Sequence, residues 1–552
     1  MTDIASLKKK RIKALFVVIL IFSCTFSAGQ DQQFNYFYRI CFTDKGEYST
    51  MSFTAPELLS ERALDRRTRF GIPVPDMKDI PVFHGYLTAI SSMGLTLHCT
   101  SKWMNTGLFK TNQPVDPGIF LSLPYVADVR MVKNPSAKSS FADKLDFPLE
   151  KADTPPFDRP ITMVNGSLLH ASGFEGKGIL IAVLDGGFLN TENISSLQHL
   201  RNRNGIIGTY DFVNNEPFVY DYHNHGTAVL SVLAGQISGI IEGTAPGADF
   251  LLLRTEDPQS EFSVEEDFWA AGAEFADSAG ADIISSSLGY FTFDDPVMDY
   301  KFTDFDGNSA FVTRAADIAA SKGILVICSA GNERGKTWQR ILAPSDGDSV
   351  ISVGAVDGNN IISTFSSAGP SADGRVKPDN AAMGVSVVVQ TAVSEMARSS
   401  GTSFSCPVLS GMAACLMQAV PGASNTDIID ALHYSADRYT FPDSLYGYGI
   451  PDMLKALDRL QDIHVIKPDI GYVAGPNPTT GEVEIFFREP PESLSIEIFS
   501  ASGIRFFRQE FPGYAGRTFR IKALNSRDQG IYFIRLITCS DTYTHKIIKL
   551  NR

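Results

Sequence analysis

Apolar residues at the start of the chain form one short, uninterrupted run. The basic segment Lys8–Lys13 precedes nine apolar residues, Ala14–Phe22, and small and polar residues follow. This order is typical of a secretory signal peptide, and nine residues are far fewer than the ~20 that span a bilayer. We therefore predict a signal peptide over residues 1–29, export of the protein, and no membrane-spanning segment in its mature form.

The next stretch, residues 30–150, combines alternating segments with one helical pattern. FNYFYRICF, LTLHCTSKWMN and PYVADVRMV alternate as strands do, whereas APELLSERALDRRTRFGI, residues 55–72, places its apolar residues at helical spacing. We expect a small α+β domain here. Residues 134–160, at its end, are rich in proline, serine and charge, which is the composition of a linker.

From residue 151 to residue 460, long apolar runs alternate with helical segments. Five runs are apolar nearly throughout, as expected of parallel strands that are buried on both faces: GILIAVLDGG, ADFLLLRTE, ADIISSSLG, GILVICSAGN and SVISVGAVD. The alternation predicts a doubly wound α/β domain with a mostly parallel sheet. In such domains the functional site lies at the carboxyl ends of the strands.

The helical patterns stop near the C-terminus. Segments such as EVEIFF, TFRIKAL and GIYFIRLIT alternate between apolar and polar residues and are separated by turn residues. They predict a small all-β sandwich over residues 468–552.

Composition narrows the functional classes. The net charge of −14 argues against a nucleic-acid partner, because phosphate binding requires clustered lysine and arginine. The seven cysteines are scattered without the C-x-x-C spacing of a zinc ribbon or a dense disulfide framework. We interpret most of them as small buried residues.

Three polar residues stand where predicted elements begin or end. Asp185 ends the run ILIAVLD, His225 begins a helical segment, and Ser403 lies at the start of a long apolar helix. Asp, His and Ser in this chain order is one of the orders in which a nucleophilic triad occurs. Asn332, after ILVICSAG, adds an amide donor from another strand end.

Each residue type suits one step of nucleophilic catalysis. A serine hydroxyl becomes a good nucleophile when a neighbouring base takes its proton, and imidazole has its unperturbed pKa near neutrality. A carboxylate behind the ring fixes its tautomer and stabilises the imidazolium that forms. The free N–H groups at a helix N-terminus, with an asparagine amide, can stabilise a developing oxyanion.

At these residues the chain resembles the subtilisin-like serine proteases. The resemblance rests on four motifs in the family's order and on two segments between them: AVLDGG with Asp185, HGTAVLSVLAG with His225, SAGN with Asn332, GTSFSCP with Ser403, and the segments GTAPGADFLLLR and ISSSLG. It implies Asp185, His225 and Ser403 as the catalytic triad and Asn332 as the oxyanion residue.

The resemblance also implies how substrate binds. In the family, the backbone of the segment matching Ser287, Leu288 and Gly289 pairs with extended polypeptide, a form of strand addition. The chain departs from the family pattern at Gly186, where serine or threonine is more common, and at Ser405-Cys406. Neither departure removes a catalytic group.

Two segments have the spacing of metal ligands. Asp221, His223 and His225 form a possible cluster, but the Gly-Thr and the helix after His225 belong to the protease motif, so we interpret His223 as a loop residue near the cleft. Asp304, Asp306 and Asn308 have the spacing that begins a calcium loop, although no glutamate follows at the twelfth position. The alternative is a polar turn. Subtilisin-like enzymes need no cofactor for their chemistry and often bind structural calcium.

The flanking regions carry two further resemblances. Residues 30–150 resemble a propeptide that assists folding and inhibits the enzyme, with the linker cut on maturation; the alternative is a permanent N-terminal domain. PNPTTGEVEI, SASGIR and the last strands resemble the C-terminal sorting domain of the type IX secretion system, which would carry the protein across the outer membrane. The alternative there is an ordinary β-sandwich that binds substrate or carbohydrate.

Two functional hypotheses from different classes follow. The first is a secreted or cell-surface serine endopeptidase that acts on polypeptides. The second is a catalytically inactive surface-binding protein on a subtilisin-like scaffold. The complete set Asp185, His225, Asn332 and Ser403 favours the enzyme, because an inactive relative usually lacks at least one of them. A lipase or esterase would carry Ser403 in a G-x-S-x-G motif, which GTSFS is not.

Overall fold

A computed structural model describes eleven ranges of the chain, namely residues 36–137, 144–145, 147–151, 159–393, 396–464, 472–475, 479–487, 491–501, 503–512, 518–539 and 542–550. The predicted signal peptide lies outside them. The chain divides into two compact units, residues 1–460 and 461–552.

The five long apolar runs form the centre of a seven-stranded sheet in which all neighbours are parallel. From one edge to the other, its strands are Asn380–Met383, Val350–Val356, Leu325–Ser329, Ile283–Ser286, Leu180–Asp185, Asp249–Arg254 and Ile206–Asp211. Every residue of Leu180–Asp185 is buried, as the unbroken apolar pattern predicts. The predicted doubly wound α/β domain is therefore confirmed.

Helices and small strands surround this sheet. The α-helices of the α/β domain are Arg159–Met163, Ser167–Ala171, Gln198–Arg203, His225–Ala234, Val264–Ala279, Phe311–Ser321, Thr402–Ala419, Asn425–Ser435 and Met453–His464. Smaller strands are Glu150–Lys151, Gln236–Ile237, Ile241–Glu242, Val387–Gln390 and Met396–Ser399. Helix Val264–Ala279 ends where Gly280 adopts φ = +91°, a conformation that glycine adopts without steric cost.

The N-terminal α+β domain has a four-stranded antiparallel sheet, in the order Thr96–Ser101, Thr106–Thr111, Tyr36–Phe42 and Val126–Lys133. Its helices are Ala55–Leu58, Glu61–Arg69, His84–Ser92 and Pro117–Leu121. The single helix predicted over residues 55–72 is thus divided in two. Ser60 lies at the division, where its Oγ accepts a hydrogen bond from the backbone N–H of Ala63 and starts a new helix.

Buried ion pairs hold this domain against helix Val264–Ala279 of the α/β domain. Arg66 and Arg67, on helix Glu61–Arg69, both bind the carboxylate of Asp277, with Arg67 Nη2 2.6 Å from Asp277 Oδ2. Arg39 binds Asp267 in the same way. These side chains are almost completely buried, so an ion pair that lost one partner would leave an uncompensated charge in the interface.

The N-terminal domain also places a histidine in this interface. His98 Nε2 lies 2.8 Å from the carbonyl oxygen of Phe212, and the rings of Phe37 and Phe268 pack against the imidazole. Burial lowers the pKa of His98 from 6.5 to about 4, because the charged imidazolium is poorly solvated there. Nearby Lys110 lowers it further.

Acidification is expected to weaken this interface. The docked domain binds fewer protons at His98 than the undocked domain between pH 6.5 and pH 4, so the stabilisation is complete above pH 6.5 and is lost as the pH falls through that window. Between pH 7 and pH 5 the loss should be about 2 kcal/mol. Hydrogen exchange of the interface amides gives the free energy of domain docking. The loss due to His98 is the difference in this free energy between the wild type and His98→Gln, compared at pH 7 and pH 5.

The glutamine keeps a donor for Phe212 but does not titrate. His84→Gln, at an exposed histidine of the same domain, is the control and should behave as wild type at both pH values. An equal pH response in the wild type and the His98→Gln variant would contradict the assignment.

After the end of helix Met453–His464, every regular element in the described residues of the second unit is a β-strand. One antiparallel sheet contains Tyr472–Gly475, Val483–Phe487 and Thr518–Ile521, and the other contains Arg505–Pro512, Ser493–Ser500, Gly530–Thr538 and Thr542–Lys549. Apolar residues of both sheets form one core, including Ile485, Ile498 and Ile534. The all-β prediction is confirmed. Within the described ranges, no helix of the protein combines the length and the apolar character needed to cross a bilayer.

Candidate active site

Asp185 and His225 come together at the carboxyl edge of the parallel sheet. Asp185 ends strand Leu180–Asp185 and His225 begins helix His225–Ala234, as the sequence predicts. His225 Nδ1 lies 2.8 Å from Asp185 Oδ1, and both side chains are buried. A carboxylate can only accept, so Nδ1 carries the proton and Nε2 is left as the basic nitrogen of the neutral ring.

One oxygen of Asp185 has no hydrogen-bond partner among the described atoms. Oδ1 accepts from the backbone N–H of Gly186 at 2.7 Å as well as from His225, whereas Oδ2 is buried and unpartnered. Position 186 is where the sequence departs from the protease motif. A serine or threonine there would supply a hydroxyl donor next to this carboxylate, and glycine supplies none.

Asn332 binds the first residue of helix Thr402–Ala419, the helix that bears Ser403. Asn332 Oδ1 accepts from the backbone N–H and the hydroxyl of Thr402, at 2.9 and 3.0 Å, which leaves the amide NH₂ group of Asn332 for another acceptor. The Phe404 ring is 6.2 Å from the His225 ring, so this helix start adjoins the Asp–His pair. The hydrogen bond of Ser403 Oγ is to the carbonyl oxygen of Ser287, at 3.5 Å.

Described residues of the segment predicted as a linker contact this site. The Phe147 ring lies 5.4 Å from the ring of His225 and 5.7 Å from that of Phe404. The carbonyl oxygen of Pro148 accepts from Ser399 Oγ, and Glu150–Lys151 pairs as an antiparallel strand with Met396–Ser399. A composition rich in proline, serine and charge predicts a segment without a core of its own. It gives no information on what that segment contacts, so the sequence did not predict that Phe147 lies at His225.

The predicted substrate segment borders the same site. The Ser287 hydroxyl donates to the carbonyl oxygen of Ser403 at 2.9 Å, and Leu288 is buried. Gly289 lies so close to Leu342 that a Cβ atom would be 2.8 Å from the Leu342 Cβ. The pairing of this segment with substrate stays a prediction.

The side chains of His223, Asp304 and Asp306 form hydrogen bonds with the backbone and side chains of their own loops. His223 Nδ1 accepts from the backbone N–H of His225 at 3.1 Å and so supports the loop before the helix. Both carboxylate oxygens of Asp306 accept from the turn that follows, and Asp304 Oδ2 accepts from the backbone N–H of Lys301. These contacts are those of a polar turn and give no support to calcium binding at Asp304, Asp306 and Asn308.

Family models match three successive parts of the chain. Residues 37–145 match the Bacteroidota propeptide domain of S8 peptidases, residues 176–449 match the subtilase family, and residues 475–550 match a secretion system C-terminal sorting domain. The resemblances stated for the sequence are thereby confirmed. The third match indicates secretion or display at the cell surface. The predicted positions of the domain boundaries stay predictions.

Individual relatives align over the central part of the chain. The serine protease AprX of Bacillus subtilis is 29% identical, over 50% of this chain and 65% of its own length. A thermophilic serine proteinase of Bacillus sp. AK1 is 30% identical over 44% and 54%, and subtilisin Savinase of Lederbergia lenta is 30% identical over 52% and 94%. The chain therefore spans less than two thirds of the first two relatives and nearly all of the third.

Proposed function

This chain belongs to the subtilase family, and from that membership we propose that it is a secreted serine endopeptidase that hydrolyses peptide bonds of polypeptide substrates. Asp185, His225 and Ser403 are its proposed triad. The observation that carries the proposal is the 2.8 Å contact between His225 Nδ1 and Asp185 Oδ1, next to the helix that bears Ser403.

In the proposed reaction, Ser403 Oγ attacks the scissile carbonyl carbon while His225 Nε2 takes its proton. His225 then gives that proton to the leaving amine, an acyl-enzyme forms at Ser403, and water releases it through the same base. Asp185 holds the ring in the tautomer with Nε2 free. The Asn332 amide and the N–H groups at the helix start would bind the oxyanion, an interaction that is stronger in the transition state than in the substrate.

We propose that the N-terminal domain is an inhibitory propeptide. In the segment that continues from this domain, the Phe147 ring packs against the His225 imidazole. Among the described atoms, the hydroxyl of Ser403 donates its hydrogen bond to the Ser287 carbonyl oxygen rather than to His225. Cleavage of the predicted linker, residues 134–160, would allow the N-terminal domain to leave the cleft. The C-terminal domain is proposed to direct type IX secretion across the outer membrane.

A fluorophosphonate probe tests the triad directly, because it reacts with a serine whose hydroxyl is activated by a neighbouring base. The secreted, processed protein should be labelled, and peptide mapping should place the label on Ser403. Folded, processed protein that takes no label would favour the inactive surface-binding protein.

A further inference from the structure

Three glutamates of the α/β domain surround one lysine of the N-terminal region. Lys144 Nζ lies 2.5 Å from Glu256 Oε2, 3.0 Å from Glu261 Oε2 and 2.7 Å from Glu265 Oε1. The lysine side chain is 7% exposed. We call the three glutamates the acidic cage. One carboxylate oxygen from each of the three glutamates lies within 4.8 Å of the other two. Among the described residues, this is the group of three His, Cys, Asp or Glu side chains close enough to hold one cation.

The cage is held in place by the α/β domain itself. Glu256 follows strand Asp249–Arg254 and accepts from the hydroxyl of the buried Tyr290. Glu265 lies in the first turn of helix Val264–Ala279, where its two oxygens accept from the backbone N–H groups of Asp257 and Phe262. Among the described atoms, none makes a hydrogen bond to the buried Oε1 of Glu261. The carboxylates of Glu256 and Glu265 are therefore positioned without the help of Lys144, whereas the Glu261 carboxylate is paired with Lys144 and has unused acceptor capacity.

Removing the propeptide would empty the cage of its cation. The match to the propeptide model ends at residue 145, so Lys144 belongs to the part that is proposed to leave. Burial and mutual repulsion raise the pKa of Glu261 to about 8 and that of Glu265 well above its usual value even beside the lysine. Without the lysine these carboxyl groups would bind protons more readily still, and a cationic side chain that enters the cage would displace those protons and restore the ion pairs.

The contacts of the residues next to Lys144 indicate which cation would replace it in the acidic cage. The Lys144 N–H donates to the carbonyl oxygen of Pro258, Leu145 packs where a Cβ atom on Gly186 would overlap it, and Phe147 reaches His225. Lys144, Leu145 and Phe147 therefore lie in turn at the acidic cage, at Gly186 and at the catalytic histidine. Lys144 precedes Phe147, the residue whose ring contacts His225, by three positions in the sequence.

We propose that the acidic cage is a specificity subsite of the mature enzyme, which binds a lysine or arginine side chain at the second, third or fourth substrate position before the cleaved bond. Lys144 occupies it in the unprocessed chain as a substrate mimic. The missing side chain of Gly186 leaves room for an apolar residue directly after the basic one. This subsite rests on the proposed peptidase function.

Cleavage of matched peptides by the processed enzyme tests the subsite. A peptide library analysed by mass spectrometry locates the preferred bonds, and internally quenched peptides then carry lysine, norleucine or glutamate at the second, third or fourth position before the bond. At one of these positions, lysine should raise kcat/KM at least about tenfold over norleucine, since a fully desolvated charge pair is formed. Glutamate at that position should give a lower kcat/KM than norleucine.

The Glu261→Gln variant should reduce the ratio of kcat/KM for lysine peptides to kcat/KM for norleucine peptides toward one. Glu242→Gln, at a half-exposed carboxylate bonded to His170, is the matched control and should keep the ratio. Fluorophosphonate labelling measures the concentration of active enzyme in each preparation. If the variant does not fold, the comparison of lysine and norleucine peptides with the wild-type enzyme decides the question by itself.

Labelled wild-type enzyme without a lysine preference at these positions overturns the subsite, as does a preference that Glu261→Gln retains. Calcium binding to the mature wild type but not to Glu261→Gln, together with no lysine preference, identifies the cage as a metal site and also overturns it. If neither labelling nor cleavage occurs, the proposed peptidase function fails, and the subsite fails with it.

Discussion

Ser403→Ala is expected to lower kcat on peptide substrates by about a millionfold, the size of the loss known for the serine of a subtilisin triad. Alanine removes the only atom of this residue that can attack the scissile carbonyl, and what remains is the smaller acceleration from oxyanion binding and substrate positioning. The rate is measured with an internally quenched peptide at saturating concentration.

The same variant should keep its propeptide if maturation is carried out by the enzyme's own site. Intact mass then reports an uncut chain, with the N-terminal domain still bound to the α/β domain. Ser405→Ala is the matched control: this hydroxyl, two residues further along the same helix, bonds to the carbonyl oxygen of Thr402 and faces no substrate. Activity of Ser403→Ala within a hundredfold of wild type would eliminate Ser403 as the nucleophile.

Asp185→Asn is expected to reduce kcat at neutral pH by about ten-thousandfold. The asparagine amide can donate a hydrogen bond to His225 Nδ1, which favours the tautomer with the proton on Nε2, and a protonated Nε2 cannot accept the proton of Ser403. The charge that stabilises the imidazolium is also lost. Because Asp185 is fully buried, water cannot replace that charge.

Active-site titration followed by single-turnover kinetics separates this loss from misfolding, since correctly folded enzyme still binds substrate. Asp221→Asn is the control, because Asp221 is an exposed residue of the loop before His225 and should leave kcat unchanged within a few fold. An Asp185→Asn enzyme with kcat near that of wild type would mean that another group orients His225.

Much of the α/β domain could be predicted because its strands are buried on both faces. Val350–Val356, for example, is buried at every residue and is apolar nearly throughout, so the pattern identifies it without tertiary information. Two strands of the same sheet were missed. Ile206–Asp211 lies at one edge, where most of its residues are partly exposed, and Asn380–Met383, at the other edge, is only four residues long.

The paired arginines of the N-terminal domain show where a local pattern misleads. Arg66 and Arg67 belong to a helix that reads as amphipathic, and charged residues of such a helix are expected in water. Both are completely buried, because helix Val264–Ala279 of the other domain presents Asp277 to them. A partner more than 200 residues away in sequence leaves no periodic signal.

The sequence by itself determined which residue types are available for catalysis and in which order, because the protease motifs are local: Asp185 at a strand end, His225 and Ser403 at helix starts, and Asn332 after a strand. Only the tertiary structure decided which groups occupy the cleft. Lys144 and Phe147 come from a segment with no core of its own, and its position is set by contacts with carboxylates and rings that are distant in sequence. Local patterns record burial and turns, whereas the pairing of distant charges depends on how the domains dock.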